Sequence, residues 1–239
     1  MNMFYGSYLT GVNTSSSDID LHIIFDNEDP NHLIRGNKII DGVRVEYFEK
    51  PIGDIYQTID EDYNSQNNAS LSNFGKSKII YAKDNQLRQL QDYAVKKFST
   101  SLPPLSDDEA KEQVSIINNR MEKLKRYAYN DDHKFEHLYR LTIDKIRKFY
   151  HKFLGISKIQ TSKVYRIYTD EQYRQSMYKE NPESEFVDMY LDLITTTNSN
   201  KIEKYQVLKN LYDYTTRNIK LNDDYRILIK SRNNKISIK

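Results

Sequence analysis

The residues of this chain that could carry out chemistry stand near its start, as a Gly-Ser pair followed by two aspartates. Ten residues separate Gly6-Ser7 from Asp18, and Asp20 follows two positions later. The run Ile19–Phe25 is rich in β-branched and apolar residues and predicts a strand. Side chains two positions apart on a strand share a face, so the two aspartates project together. Because adjacent carboxylates repel each other, the pair indicates a cation site, with Mg²⁺ and nucleotide phosphates as the expected partners.

A third carboxylate, Glu46, lies on the next pair of predicted strands. The segment 39–48 has the pattern of a strand, an Asp-Gly turn and a second strand. If the second strand lies beside that of the two aspartates, Glu46 can join them, and three such carboxylates are typical of two-metal sites. These sites clamp the attacking and leaving oxygens during displacement at phosphorus. His22 lies on the same face as the aspartates and could either contact the site or fill space.

The chain resembles the nucleotidyltransferase superfamily that includes DNA polymerase beta, on the segments Phe4-Tyr5-Gly6-Ser7, Ser17-Asp18-Ile19-Asp20-Leu21 and Val45-Glu46-Tyr47. Within that superfamily it is similar to bacterial antibiotic nucleotidyltransferases of the kanamycin, streptomycin and lincosamide types and to their uncharacterised relatives. The resemblance implies that Gly6 and Ser7 hold a nucleoside triphosphate and that Asp18 and Asp20 bind metal. It also implies that Glu46 is the third metal ligand or the base that activates the acceptor hydroxyl.

The implied reaction is the Mg²⁺-dependent transfer of a nucleoside monophosphate from a nucleoside triphosphate, with ATP expected, to an acceptor hydroxyl. The expected acceptor is a small molecule such as an aminoglycoside-like antibiotic. Two alternatives stay open: nucleotidylation of a protein or tRNA partner, as in toxin–antitoxin pairs, and a non-catalytic nucleotide-binding protein. A carboxylate of the C-terminal half would orient the acceptor, and the candidates are Glu109, Glu112, Glu136 and Asp144.

The predicted fold class is α+β, with a small mixed β-sheet domain followed by an all-α helical bundle. We place the nucleotidyltransferase catalytic domain at 1–98 and the helical bundle at 105–224, with the substrate cleft expected between them. The break rests on the helix-breaking stretch Ser-Thr-Ser-Leu-Pro-Pro at 99–104. Residues 225–239 alternate polar and apolar types and are assigned as a tail or a hairpin.

Periodic apolar residues predict the helices and strands that position the candidate site residues. A short helix should begin after Ser7, and Lys78–Ala82 should form a further strand. Ser106 and Glu109 have the spacing of a capping box, which marks the start of a long helix. The other predicted helices are 86–98, 132–154, 170–179, 184–196 and 201–219.

Composition excludes several classes of protein. The 239 residues include no Cys, which excludes a disulfide framework and a Cys-based metal site. No apolar run has the length of a membrane span and no signal peptide is recognisable, so we expect a cytoplasmic protein. Residues 1–100 carry 10 Lys or Arg against 14 Asp or Glu, although the whole chain has a net charge of +2. This acidic balance suits metals and a cationic acceptor; a homodimer is left open.

Overall fold

The computed structural model describes residues 1–26, 34–196 and 200–219. The chain divides into two compact units. The first consists of Met1–Pro104 together with Tyr150–Leu191. The second consists of Leu105–Phe149 together with the described residues from Asp192 onwards. The first unit therefore combines the β-sheet with helical segments from the later half of the sequence.

The predicted domains do not divide the chain at the same positions as these units. The predicted catalytic domain, 1–98, lies within the first unit, whereas the predicted bundle, 105–224, contributes residues to both units. The two domains stay a prediction about which parts of the chain fold independently. The tail or hairpin predicted at 225–239 lies outside the described residues.

The sheet belongs to the first unit and, in the described residues, has five strands in the order β3-β4-β2-β1-β5. The strands are β1 Asn2–Tyr5, β2 Ile19–Phe25, β3 Ile34–Ile40, β4 Val43–Pro51 and β5 Lys78–Tyr81. β2 and β4 pair in parallel and the other neighbours are antiparallel, so the sheet is mixed, as predicted. Parallel pairing of β2 with β4 aligns the ends of both strands at which the acidic residues stand.

Helices form most of the rest of the described chain. The helices of the first unit are α1 Ser7–Thr10, α2 Ile52–Asn64, α3 Ala69–Gly75, α4 Gln86–Phe98, α7 Val164–Thr169 and α8 Glu171–Ser176. A 3₁₀ turn, Thr161–Lys163, precedes α7. The remaining helices are α5 Asp107–Tyr129, α6 Phe135–Phe153, α9 Ser184–Thr195 and α10 Lys201–Thr216. Among the described residues, no helix is long and apolar enough to cross a membrane.

Burial of apolar side chains fixes the sheet against α2, α3 and α4. The buried cluster consists of Met3, Ile24, Ile55, Ile59, Leu71, Phe74, Leu87, Leu90 and Ala94. Burying a single such aliphatic or aromatic side chain stabilises the fold by about 1.5–3 kcal/mol. Met3 of β1 and Ile24 of β2 belong to this cluster, so burial fixes these two strands, and with them Asp20, against α2, α3 and α4.

Several local predictions are confirmed. The Asp41-Gly42 turn has φ values of 50° and 80°, the left-handed conformation that a tight hairpin between β3 and β4 requires. Ser106 and Glu109 form the predicted capping box at the start of α5. Helices α2, α3 and α7 were not predicted, although Ile52, Ile55 and Ile59 show helical spacing after Pro51.

Candidate active site

The Gly-Ser turn lies directly against one of the aspartates. Gly6 connects β1 to α1 with φ 88° and ψ −164°, a conformation that glycine adopts far more readily than other residues. A Cβ atom at this position would overlap the carboxylate of Asp20. Both the backbone conformation and the available space therefore require glycine here. Ser7 follows as the first residue of α1, which begins one residue before the predicted start.

Strand pairing brings the three predicted carboxylates together. In the parallel pair of β2 and β4, Asp20 stands opposite Glu46, and Asp18 precedes the first residue of β2. One carboxylate oxygen from each of the three residues lies within 4.8 Å of the others. All three side chains are half-buried. The sequence thus predicted the cluster correctly, including the contribution of Glu46 from a neighbouring strand.

The cluster concentrates negative charge in a partly dehydrated place. Burial, followed by the charges of Asp18 and Glu46, raises the pKa of Asp20 from 3.8 to about 6, and Lys163 opposes the shift. A carboxylate in this setting gains most from a nearby cation. Hard divalent cations such as Mg²⁺ prefer carboxylate oxygens. The donor set and the raised pKa of Asp20 therefore fit a divalent metal.

Two arginines orient Glu46. Arg35 on β3 donates from Nη2 to Oε1 of Glu46 at 3.0 Å, and Arg44 Nη2 lies 3.8 Å from the same oxygen. The guanidinium of Arg35 also lies 5.1 Å from the ring centroid of Phe48. The Glu46 side chain is only 13% exposed, so these contacts restrict its rotamers on a face it shares with the aspartates. Arg35 could not be identified from the sequence, because the register of β3 against β4 fixes its contact with Glu46.

The carboxylates line a cavity of about 330 Å³, and Gly6 and Ser7 line it too. Two lysines also line it, Lys76 after α3 and Lys163 at the end of the 3₁₀ turn. Ammonium groups beside carboxylates suit a ligand that carries phosphates and brings its own metal. Both lysines were missed from the sequence, because they come from segments remote from the motif. All these residues belong to the first compact unit.

His22 is a core residue and does not reach into the carboxylate cluster. Its ring stacks on Tyr5 with centroids 4.2 Å apart and on Phe74 with centroids 4.4 Å apart. Neither ring nitrogen has a hydrogen-bond partner, and both are buried. Of the two roles left open by the sequence, the structure thus supports filling space, and His22 supports the ring of Tyr5 that lines the cavity.

Three of the four carboxylates considered for the acceptor have structural partners. Glu109 closes the capping box of α5, and Asp144 accepts a hydrogen bond from Arg147 at 2.6 Å. Glu136 pairs with a lysine of α10 at 2.7 Å. Each of these three carboxylates therefore has a structural role that does not require a substrate. An acceptor-orienting role for any of the four, Glu112 included, stays a prediction.

We expect Asp20→Asn to stabilise the metal-free protein at neutral pH. The folded-state pKa of Asp20, about 6, lies above its ordinary value of 3.8, so ionisation disfavours the folded state above pH 6. The advantage of the variant should be complete above pH 6, shrink as the pH falls, and vanish below about 3.8. Urea denaturation in EDTA across this range measures the difference. If the free energies of unfolding of the variant and the wild type differed by the same amount at every pH, the pKa of Asp20 would not be raised in the folded state.

We expect His22 to make the fold acid-sensitive. Burial, with a smaller contribution from the charge of Lys50, lowers the pKa of His22 from 6.5 to about 3. Below pH 6.5 His22 is protonated in the unfolded chain but stays neutral in the folded protein. The free energy of unfolding therefore falls between pH 6.5 and 3. His22→Phe keeps a ring between Tyr5 and Phe74 and should remove this loss. Thermal melting at pH 7.5 and pH 4.5 tests it, and melting temperatures that fall equally in both proteins would contradict it.

Comparison with protein families gives a match over more than half of the chain. Residues 3–153 match the family model described as the nucleotidyltransferase domain. Among solved structures, the chain is similar to a nucleotidyltransferase-like protein from Exiguobacterium sibiricum 255-15, with 9% sequence identity and a TM-score of 0.48. That similarity covers 90% of this chain and 68% of the other chain. No curated protein gives a significant match.

Proposed function

Because the chain belongs to the nucleotidyltransferase domain family, we propose that it transfers a nucleoside monophosphate from a nucleoside triphosphate to an acceptor hydroxyl. The observation that carries the proposal is the meeting of Asp18, Asp20 and Glu46 in one cavity beside the Gly6-Ser7 turn. A chain that kept the fold only to bind a partner would have no need for three mutually repelling carboxylates. The intact acidic triad therefore favours catalysis over passive binding.

Asp18, Asp20 and Glu46 would hold Mg²⁺, with nucleotide phosphates completing its coordination. When bound, Mg²⁺ supplies positive charge to the phosphates and activates a hydroxyl at neutral pH. In the transfer, the acceptor oxygen bonds to the α-phosphorus while the bond from that phosphorus to the α,β-bridging oxygen breaks. Pyrophosphate leaves, and the hydroxyl proton passes to Glu46 or to water. Arg35 keeps the Glu46 carboxylate oriented for either role.

Cationic and hydroxyl groups of the cavity would hold the triphosphate. Lys76 and Lys163 line the cavity that Ser7 also lines, and the charge of Lys163 acts on Asp20. Lysine binds phosphate as a flexible point charge, and a serine hydroxyl donates one hydrogen bond to a phosphate oxygen. ATP is the expected nucleotide. The three residues would fix the leaving pyrophosphate, since positioning and charge neutralisation dominate phosphoryl transfer.

Ser7→Ala should weaken triphosphate binding modestly. Losing one hydrogen bond to a charged group costs about 1–2 kcal/mol, or a roughly 5–30-fold higher Kd. Calorimetric titration with Mg²⁺ and α,β-methylene-ATP gives this number directly. Ser65→Ala, which removes a hydroxyl from an exposed serine that does not line the cavity, is the control and should bind as the wild type does. If the wild type and Ser7→Ala bound α,β-methylene-ATP with equal affinity, the Ser7 hydroxyl would not contact the triphosphate.

For the acceptor we propose a small hydroxylated molecule, of the kind that an aminoglycoside represents. The acidic balance of residues 1–100 supports a cationic acceptor over a polyanion. The test is incubation with each of the four α-³²P-labelled nucleoside triphosphates, Mg²⁺ and an acceptor panel of aminoglycosides, lincosamides, tRNA and cell extract. Label on a small molecule with release of pyrophosphate supports the proposal. Label on tRNA or on a protein selects the macromolecular alternative, and the absence of both transfer and hydrolysis selects non-catalytic binding.

A further inference from the structure

Part of the cavity that holds the three carboxylates is lined by α8 and the residues that follow it. These residues are Tyr173, Ser176, Met177 and Tyr178, and we call them the α8 wall. None of the four side chains is charged at neutral pH, whereas the residues proposed to hold the phosphates include two lysines. The base and the sugar of a nucleotide are uncharged too, so the α8 wall suits this part of the molecule. It lies outside residues 3–153 and is therefore not part of the matched domain.

Arg166 and Asp170 hold the ring of Tyr173 in place. The guanidinium carbon of Arg166 lies 3.9 Å from the centroid of the Tyr173 ring, a close cation–π contact. Asp170 accepts a hydrogen bond from Nε of Arg166 at 3.3 Å and another from the backbone N–H of Tyr173 at 2.8 Å. The N–H of Tyr173, and then Arg166, hold the pKa of Asp170 below its usual value, so its carboxylate stays ionised at neutral pH. One carboxylate therefore fixes both the guanidinium and the backbone that carries the ring.

Of the three tyrosines that line the cavity, Tyr173 presents a ring face on which a planar ligand can stack. Arg166 does not line the cavity, so its guanidinium covers the ring face that is turned away from it. Among the described residues, no aromatic ring packs on Tyr173. Tyr5, by contrast, is only 9% exposed and stacks on a buried histidine. Tyr178 packs edge to face against Phe98, and a lysine ammonium lies 5.5 Å from its ring centroid.

The α8 wall is poor in groups that recognise one particular base. Specific recognition typically uses Arg, Asn or Gln side chains, which form two hydrogen bonds to the edge of one base, and none of the four residues is of these types. The hydroxyl of Ser176 donates to the carbonyl of Tyr173 at 2.7 Å, and the thioether of Met177 has no hydrogen to donate. Stacking, which tolerates every base, is then the main contact. Purines stack over a larger area than pyrimidines, because they have two fused rings.

We propose that the base of the nucleoside triphosphate stacks on Tyr173, and that the site prefers purines to pyrimidines while it distinguishes little between adenine and guanine. Tyr173 is then a specificity-determining residue. Arg166 and Asp170 are positioning residues, because they hold the ring without lining the cavity. We rest this inference on the proposed function, since it concerns the base of the same nucleotide.

Fluorescence can report the stacking directly, because the chain contains no tryptophan. Tyr173→Trp introduces a single fluorophore at the stacking position, and a base that stacks on the indole quenches its emission. With Mg²⁺ present, α,β-methylene-ATP and α,β-methylene-GTP should quench the emission, whereas tripolyphosphate, which has no base, should not. Tyr165→Trp is the matched control, because Tyr165 is 55% exposed on α7 and does not line the cavity. Its emission should not respond to any of these ligands.

Calorimetric titration of further variants gives the size of the effect. Tyr173→Ala should raise the Kd for α,β-methylene-ATP about 5–150-fold, the usual result of removing an aromatic side chain that stacks on a base. Tyr173→Phe keeps the ring and should bind as the wild type does, as should Tyr165→Ala. Arg166→Gln should weaken binding of α,β-methylene-ATP without changing the Kd for tripolyphosphate, a combination that a general loss of structure would not produce. Melting temperatures without ligand show whether each variant is folded.

Three results would overturn the stacking of a base on Tyr173. They are wild-type affinity of Tyr173→Ala for α,β-methylene-ATP, equal quenching of Tyr173→Trp by tripolyphosphate and by the nucleotides, and α,β-methylene-UTP binding to the wild type as tightly as α,β-methylene-ATP. Each leaves the proposed function intact, because nucleotide binding by the wild type is measured separately. Failure of the wild type to bind any of these nucleotides with Mg²⁺ would overturn the proposed function itself.

Discussion

The double variant Asp18→Asn with Asp20→Asn is expected to lose Mg²⁺-dependent nucleotide binding while it stays folded. Asparagine keeps the shape of each side chain but removes the charge that attracts the metal. Loss of two direct ligands should exceed the 10–100-fold effect typical of residues that merely support a metal ligand. Calorimetric titration with Mg²⁺ and α,β-methylene-ATP measures the loss. Thermal melting in EDTA should show unchanged or higher stability, because repulsion within the cluster is relieved.

The control for this pair is Asp92→Asn, an exposed aspartate on α4. It removes a negative charge from the same compact unit without touching the cavity. Nucleotide affinity should therefore equal that of the wild type. If the double variant also kept wild-type affinity for the Mg²⁺-nucleotide, the two aspartates would not be metal ligands.

Glu46→Gln is expected to lower the transfer rate while nucleotide binding largely survives. Glutamine has the shape of glutamate, but it can neither take a proton nor offer a charged oxygen to a metal. Removal of a general base typically costs about 10²–10⁴-fold in rate, and loss of a metal ligand could cost more. Pyrophosphate release, with an acceptor or during slow hydrolysis by water, gives the rate. The Kd for α,β-methylene-ATP from calorimetry gives the binding.

Glu49→Gln is the matched control, because Glu49 lies on the same strand but on its opposite face. Its turnover should be that of the wild type. If Glu46→Gln kept wild-type turnover, Glu46 would be neither a metal ligand nor the general base. The ion pairs with Arg35 and Arg44 would then be its whole role.

The acidic triad could be predicted from the sequence because its geometry is set locally. Asp18 and Asp20 follow the two-residue repeat of a strand, and a turn at 41–42 sets the hairpin that carries Glu46. One further assumption was needed, that β4 lies beside β2, and the structure confirms it. Gly6 was singled out from the Gly-Ser motif, and its φ of 88° supplies the physical reason for a glycine there.

The cationic and aromatic parts of the cavity could not be predicted in this way. Lys163 and Tyr173 are remote in sequence from the Gly-Ser motif, and tertiary packing alone brings them to it. No periodicity marks a tyrosine whose ring packs on an arginine or an arginine that orients a glutamate across a hairpin. His22 shows the converse. Its position beside the aspartates along β2 suggested chemistry, whereas burial between Tyr5 and Phe74 made it part of the core.

The metal and nucleotide site is tested most directly by a crystal structure of the full chain with Mn²⁺ and α,β-methylene-ATP, in which manganese is located by its anomalous scattering. Mn²⁺ binds the oxygen ligands that Mg²⁺ prefers, and its anomalous scattering distinguishes it from water and from Mg²⁺. We expect manganese coordinated by Asp18, Asp20 and Glu46 and by phosphate oxygens of the nucleotide, with Ser7 and Lys163 at the phosphates. A nucleotide bound elsewhere, or manganese absent from the three carboxylates, would contradict it.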